Sequence, residues 1–352
     1  MTTQRVRCVV VGLGAVTRTM LRCASEKPWF EVAAIVDVDA DAVAKAQSGF
    51  PGAQAFCDLT TALAETRADA VLVNTPSEHH HALAKEALDA GHHVLVAKPI
   101  ANDFDEAYEL VELADAKGVT LCVGQQMRFM RHYRAVRRFV GSGRLGSVEV
   151  INFLNPKPRP NPLNLARLEQ PALHELSCHH FDSLLAVVPQ YVPLSIACDG
   201  FRPSWSKYAG PSLVNASIRF SDGLHVLYQG GFSQAENYEL RLEGSAGALR
   251  CRGIHMSIDT MTNEFAEPGG PFVPADIDDD LPVADPWDEF FDRWEQYLSG
   301  GDEPPFSGRN NLKVFALLSA AIDSIEGGGV PIEVAANERY AKAFSDLEAS
   351  RA

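Results

Sequence analysis

No apolar run in this 352-residue chain is long enough to cross a bilayer, so its hydrophobic residues are expected to fill cores. Basic charge is scarce too: 31 Lys and Arg stand against 46 Asp and Glu, a formal net charge of −15. Phosphate backbones are held by clustered cations, so this balance argues against a nucleic-acid partner. The nearest approach to a basic patch is "MRFMRHYRAVRRF", and on a helix its charges would go round most of the surface. There is no CxxC pair. Cys8, Cys23, Cys57, Cys122, Cys178, Cys198 and Cys251 are odd in number and scattered, as expected of reduced thiols in the cytoplasm. The opening "MTTQRVRCVVVGLGAV" lacks the cleavage site of a secretory leader; its short apolar run flows into a glycine motif. "DIDDD" lacks the glycine and closing glutamate of a calcium loop and reads as a solvated acidic turn. No internal repeat is visible.

What is present is a change of rhythm. The length suits two domains, and an apolar fraction of 46% supplies ample core for both. From Arg5 to about Gln125, strand-like runs such as "VRCVVVG", "EVAAIVDVD", "AVLVNTP", "HHVLVAKP" and "VTLCVGQ" alternate with helical stretches. Continuous apolar strands joined by helices predict a doubly wound parallel sheet. Beyond a basic helix and the strand "SVEVINFLN" come the proline-rich loop "PKPRPNP" and then mostly strands. "PLSIACDGF", "LVNASIRF", "LHVLYQGGF" and the hairpin "YELRLEGSAGALRCRG" predict an α+β domain with a large open, mainly antiparallel sheet. "EPGGPFVPADIDDDLPVADP" reads as a surface loop, with two helices after it near 287–298 and 310–325. The expected domains are 1–125 and 126–352.

"VVVGLGAVTR" sets Gly12 and Gly14 directly after the first strand. The first glycine permits the tight turn, and the second lets backbone approach a pyrophosphate at the N-terminus of the helix opened by Ala15 and Val16. Thr17 stands where Gly or Ala is usual. Asp37 ends the second strand, where a carboxylate accepts from ribose hydroxyls and repels a 2′-phosphate. NAD, rather than NADP, is the expected cofactor.

"NTPSEHHHALAKEALDAGHHVLVAKP" resembles the TPxxxHxxxAxxALxAGKHVxxEKP stretch of the glucose–fructose oxidoreductase and inositol dehydrogenase family, written Gfo/Idh/MocA. Thr75, Pro76, His80, Ala84, Gly91, Val94, Lys98 and Pro99 are in register; Ala97 replaces the family's glutamate. "VGQQMRF" through "GSGRLGSV" and "PFSGRNNLKVFALLSAAIDSIEGGGVPIEV" extend the resemblance over nearly the whole chain. It implies a Rossmann domain and a substrate domain, with the substrate held between them. It implies cofactor contacts from Thr75, Pro76, His80 and Lys98. It also implies that Lys98 steadies the alkoxide formed as hydride leaves.

"HELSCHHFD" at 174–182 taken alone suits a metal, acid–base chemistry or a polar-capped helix start. His174 and Cys178 are four apart, but no third ligand has suggestive spacing, so no metal is expected. Against the family's DxGxHxxD, Glu175 matches the first acid, Ser177 the glycine, His179 the histidine and Asp182 the last acid. The resemblance implies that His179 is the general base and that Glu175 orients it. In a helix the two would share a face. Arg128, Asp182, His180 and the loop "NPKPRPNPLN" are candidate substrate contacts.

The resulting expectation is an NAD-dependent oxidoreductase acting on a secondary alcohol of a sugar, cyclitol or related polyol. It is expected to be a homodimer or homotetramer associating through the outer face of the second sheet. Two rivals share the early part of the argument. One is a glycoside-cleaving enzyme that oxidises transiently and returns the hydride to its substrate. The other is a non-catalytic NAD sensor, which would need no base.

Overall fold

The computed structural model describes residues 5–160, 166–254, 261–277 and 281–345, which form two compact units.

The first unit comprises Met1–Gln126 and Asp285–Phe315. Its strands are β1 (Val6–Val11), β2 (Phe30–Val36), β3 (Gln54–Phe56), β4 (Ala70–Val73), β5 (His93–Val96) and β6 (Leu121–Val123). All pair in parallel, in the order β3-β2-β1-β4-β5-β6. The order reverses between β1 and β4, and ligands of such sheets bind outside the carboxyl ends there. The connecting helices are α1 (Ala15–Ala24), α2 (Ala40–Gly49), α3 (Leu59–Glu65), α4 (His80–Asp89) and α5 (Phe104–Lys117). Asp39, Asp58 and Asp103 cap α2, α3 and α5 by accepting a backbone N–H of the first turn. The left-handed Gly118 ends α5. The pattern reading had no α3: seven residues are too few to display a helical period.

The expected assignment of everything after residue 125 to the second domain needs correction. Residues 285–315 belong to the first unit. Helix α8 (Pro286–Leu298) begins at the Asp285 cap, with proline in its first turn. It buries Trp287, Phe290, Phe291 and Trp294. Trp294 meets Trp29 edge-on at 5.8 Å, and Phe291 meets Phe30 at 6.0 Å. Truncating one such ring costs about 3–5 kcal/mol. Arg22 and Lys27 add ion pairs at 2.7 Å to Asp285 and Asp292. Periodicity announces the buried stripe of α8 but not which sheet, some 250 residues upstream, receives it.

The second unit comprises Met127–Ala284 and Ala316–Ala352. Its nine strands are β7 (Val148–Pro158), β8 (Pro193–Phe201), β9 (Leu213–Phe220), β10 (His225–Ser233), β11 (Tyr238–Gly244), β12 (Gly247–Gly253), β13 (Thr262–Ala266), β14 (Val273–Pro274) and β15 (Ile332–Glu333). They are ordered β14-β13-β12-β11-β7-β10-β9-β8-β15. The β7–β10 pair is parallel and the other pairs are antiparallel, so the sheet is mixed but mainly antiparallel. β7 runs on through Pro156 and Pro158, where a loop was expected. Its ladder to β11 stops at Leu154, so only one side needs donors there. β14 lies within the expected surface loop and forms a short edge strand against β13, which was not assigned from the sequence. Helices α6 (Arg131–Gly141) and α7 (Cys178–Val187) pack together, and ring contacts tie them to the sheet. These include Phe181–Tyr228 at 5.1 Å, Phe153–His180 at 5.5 Å and His132–Tyr238 at 5.2 Å. On the other face Asn152, Leu154, Asn215, Leu227 and Gln229 line a shallow depression.

Helix α9 (Gly308–Glu326) contributes residues to both units. No helix among the described residues is long and apolar enough to cross a membrane. None of the seven cysteines forms a disulfide; Cys57 alone is exposed. Residues 278–280 of the acidic turn lie outside the described residues.

Candidate active site

Gly12 and Gly14 do different work. Gly12 has φ +84°, and a Cβ there would sit 2.6 Å from the Asn74 carbonyl oxygen and 2.9 Å from the Thr75 nitrogen. The loops leaving β1 and β4 therefore touch at the point where the sheet order reverses. Gly14 begins α1 without a side-chain cap, and nothing lies within 4 Å of its would-be Cβ. That open helix N-terminus, flanked by exposed Ala15 and Val16, suits a pyrophosphate. Thr17 is buried and donates to the Gly12 carbonyl at 2.6 Å, so its hydroxyl ties helix to turn where a smaller residue is usual.

Asp37 accepts the Leu13 N–H at 2.8 Å on one carboxylate oxygen and the Asp39 N–H at 3.0 Å on the other. It is thereby held beside the glycine turn, and each oxygen keeps a further lone pair for a hydroxyl. Val38 beside it is 92% exposed. Open helix end, close-fitting Gly12 and anchored carboxylate together fit an adenine dinucleotide.

Thr75 is half-buried and Pro76 exposed, directly after β4. Lys98 follows β5, half-buried, in a cis peptide with Pro99. His80 does not match its expected role as a cofactor contact. It is 1% exposed, with Nδ1 2.6 Å from the Pro99 carbonyl and Nε2 2.9 Å from the Thr75 carbonyl. Burial holds its pKa below the usual 6.5 despite those bonds, and the nearby Lys98 charge adds to the effect.

"HELSCHHFD" lies in the second unit, and only its second half is α-helix. Leu173–Ser177 form a π turn that feeds α7, a feature often found at functional sites. Ser177, in the family's glycine position, is fully buried. It donates to the Ala172 carbonyl at 3.2 Å, and its oxygen lies 2.9 Å from the Tyr228 hydroxyl. Tyr228 in turn lies 2.7 Å from His180 Nδ1, while Asn155 donates to His180 Nε2 at 2.9 Å. Both nitrogens of His180 are thus engaged inside the core, so it supports α7 rather than touching a substrate. Tyr228 was not singled out from the sequence, and Asn155 only as the first residue of the "NPKPRPNPLN" loop, as a candidate substrate contact. The available signal was a polar side chain at an inward position of an alternating strand.

His179 is 9% exposed. Glu175 receives an ion pair from Arg159 Nη1 at 2.6 Å, an arginine the motif did not mark. Asp182 is 1% exposed, and Arg128 Nη1 approaches its Oδ1 at 3.3 Å. Neither Asp182 oxygen has a hydrogen-bond partner among the described residues. Burial raises its pKa to about 6, and the arginine only partly offsets this. Among the described residues, no group of three or more His, Cys, Asp or Glu could hold a metal. The Cys178 thiol donates to the His174 carbonyl at 3.0 Å. Residues 161–164 of the "NPKPRPNPLN" loop lie outside the described residues.

Residues 6–125 match the family model described as "Oxidoreductase family, NAD-binding Rossmann fold". Over this segment the chain matches the Gfo/Idh/MocA family. Inositol 2-dehydrogenase of Corynebacterium glutamicum is 32% identical over 154 residues, which are 43% of this chain and 46% of that protein. D-apiose dehydrogenase of Paraburkholderia graminis is 24% identical over 353 residues, covering 93% of this chain and 89% of its own. In fold, the chain is similar to the WlbA dehydrogenase of Bordetella pertussis solved with NADH and UDP-GlcNAcA. The TM-score is 0.82 at 23% identity, covering 95% of this chain and 99% of that one. The matched segment thus coincides with the sheet whose carboxyl edge carries Gly12, Asp37 and Lys98.

Proposed function

We propose that this protein is an NAD-dependent dehydrogenase that oxidises a secondary alcohol of a sugar, cyclitol or related polyol. The observation that carries the reading is the position of Lys98. It follows β5, beside the β1/β4 reversal where the dinucleotide loop lies. A half-buried ammonium there is suited to stabilising an alkoxide. The relatives named for inositol and apiose dehydrogenation support the substrate class.

NAD, when bound, supplies the hydride acceptor. Lys98 donates to the substrate oxygen and stabilises its negative charge as the carbon loses hydride. His179 takes the hydroxyl proton, leaving a carbonyl; a neutral imidazole suits this near neutral pH. Glu175, fixed by Arg159, and Asp182, beside Arg128, set the charge around the helix that carries His179. Asp37 selects NAD over NADP.

The test is a polyol and sugar panel with NAD, read by NADH absorbance. Lys98→Ala and His179→Ala should each lower kcat by roughly two to four orders of magnitude, and His179→Ala should leave NAD affinity near wild type. Activity that survives both changes would overturn the roles given to Lys98 and His179. No NADH with any member of the panel would overturn the dehydrogenase reading.

A further inference from the structure

His80 joins two backbone segments that the reaction needs held still. The Thr75 carbonyl follows β4 and the Pro99 carbonyl follows β5, neighbouring strands that pair Val73 with Val96. Thr75 also packs against the Gly12 turn, whose would-be Cβ falls 2.9 Å from its nitrogen. Pro99 is the residue next to Lys98. One buried ring therefore lies wedged between the peptide that follows the amine and the peptide bracing the dinucleotide loop, with a nitrogen against the carbonyl of each. We propose that His80 is a positioning residue that sets the Lys98 amine relative to the cofactor loop, an inference that rests on the dehydrogenase reading above.

The chemistry of the ring sharpens this. Both partners are acceptors, yet a neutral imidazole has one N–H. The neutral ring therefore donates to one of them and only packs against the other. The contact to Pro99 is the shorter, 2.6 Å against 2.9 Å, and we take Nδ1, on the Lys98 side, as the donor, an assignment the variants below test. Burial favours that neutral form. The essential bond is therefore Nδ1–H to the Pro99 carbonyl, and the two nitrogens are not equivalent. An asparagine amide can put its N–H₂ where Nδ1 stands. A glutamine amide reaches instead to the position of Nε2.

The experiment compares His80→Asn, His80→Gln and His80→Ala in steady-state kinetics and direct NAD titration, alone and combined with Lys98→Ala. His80→Gln and His80→Ala should lower kcat roughly ten- to a hundred-fold, the scale of a misplaced catalytic group, with NAD affinity near wild type. His80→Asn should restore most of the loss. On the Lys98→Ala background none of the three should lower kcat much further, since the ring acts through that amine. If His80→Ala does not fold, the Asn and Gln variants decide. An Asn variant as impaired as Gln, or losses that multiply with Lys98→Ala, would overturn the inference while leaving the dehydrogenase reading intact. Full activity in Lys98→Ala alone would remove the role given to Lys98 and the inference with it, whereas wild type that forms no NADH from any sugar or polyol would remove the dehydrogenase reading.

Discussion

Asp182 sets two opposed effects against each other, and their balance can be measured. Burial disfavours the carboxylate, whereas Arg128 at 3.3 Å favours it. Burial prevails, moving the group from 3.8 to about 6. A folded pKa above the unfolded one means that the native state holds the proton more tightly. Its contribution is therefore fully present below the unfolded value and is lost as pH rises through 6. The whole shift corresponds to about 3 kcal/mol, of which about 1.4 kcal/mol falls between roughly pH 5 and pH 7.5. Asp182→Asn keeps the shape and removes the titration. Urea unfolding of both proteins, followed by circular dichroism, gives the difference in stability at each pH. That difference should move in favour of wild type by about 1.4 kcal/mol as pH falls across this window. Comparing variant with wild type cancels the other titrating groups. A flat difference would mean that the carboxyl titrates alike folded and unfolded. A change of opposite sign would mean that Arg128 holds it ionised, with the pKa depressed.

Asp37→Ser should narrow the gap between NAD and NADP binding, because it removes both the hydroxyl acceptor and the charge facing a 2′-phosphate; wild type binding NADP more tightly in direct titration would refute this. His132 is buried against the Tyr238 hydroxyl at 2.5 Å, and burial lowers its pKa to about 3. It should contribute stability above its unfolded pKa that is lost on acidification, about 2 kcal/mol between roughly pH 7.5 and pH 5. His132→Gln should flatten that slope in the same unfolding assay; an unchanged slope would show that the ring titrates normally. The half-exposed outer face of the second sheet, with Leu227 53% exposed, should be buried between copies of the chain. Sedimentation should then find a dimer or tetramer, and a monomer at micromolar concentration would contradict it.

The parallel sheet was legible because each of its strands is a short run of buried apolar residues between helices with visible stops. β1 and β5 are all but continuous Val, Leu and Cys, and α5 opens at Asp103 and closes at Gly118. What escaped were pieces whose identity depends on distant partners. The strand β6 was read, but not that it also receives Phe306 and Ser307 from far along the chain. Helix α8 is amphipathic in either domain, and only the ring cluster around Trp29 settles which one takes it.

The site divides along the same line. The local settings of Gly12, Gly14 and Asp37 were readable because a turn, a helix start and a strand end are local events. The roles of His80 and His180 were not, because a histidine's role depends on what faces its two nitrogens. His80 meets two carbonyls on separate loops, and His180 meets an amide of β7 and a hydroxyl of β10. Neither set of partners lies within four residues of its ring, so no motif spacing could encode it. The substitutions within the motif follow the same logic. Where the family has glycine, the Ser177 hydroxyl donates to the Ala172 carbonyl and its oxygen faces the Tyr228 hydroxyl. Glu175 departs from aspartate where Arg159 waits at the end of β7. Each change looks like a weakening of the motif when read along the chain. In the fold each meets a specific partner, so the helix that carries His179 is anchored on both sides of the motif by residues that the motif itself does not contain.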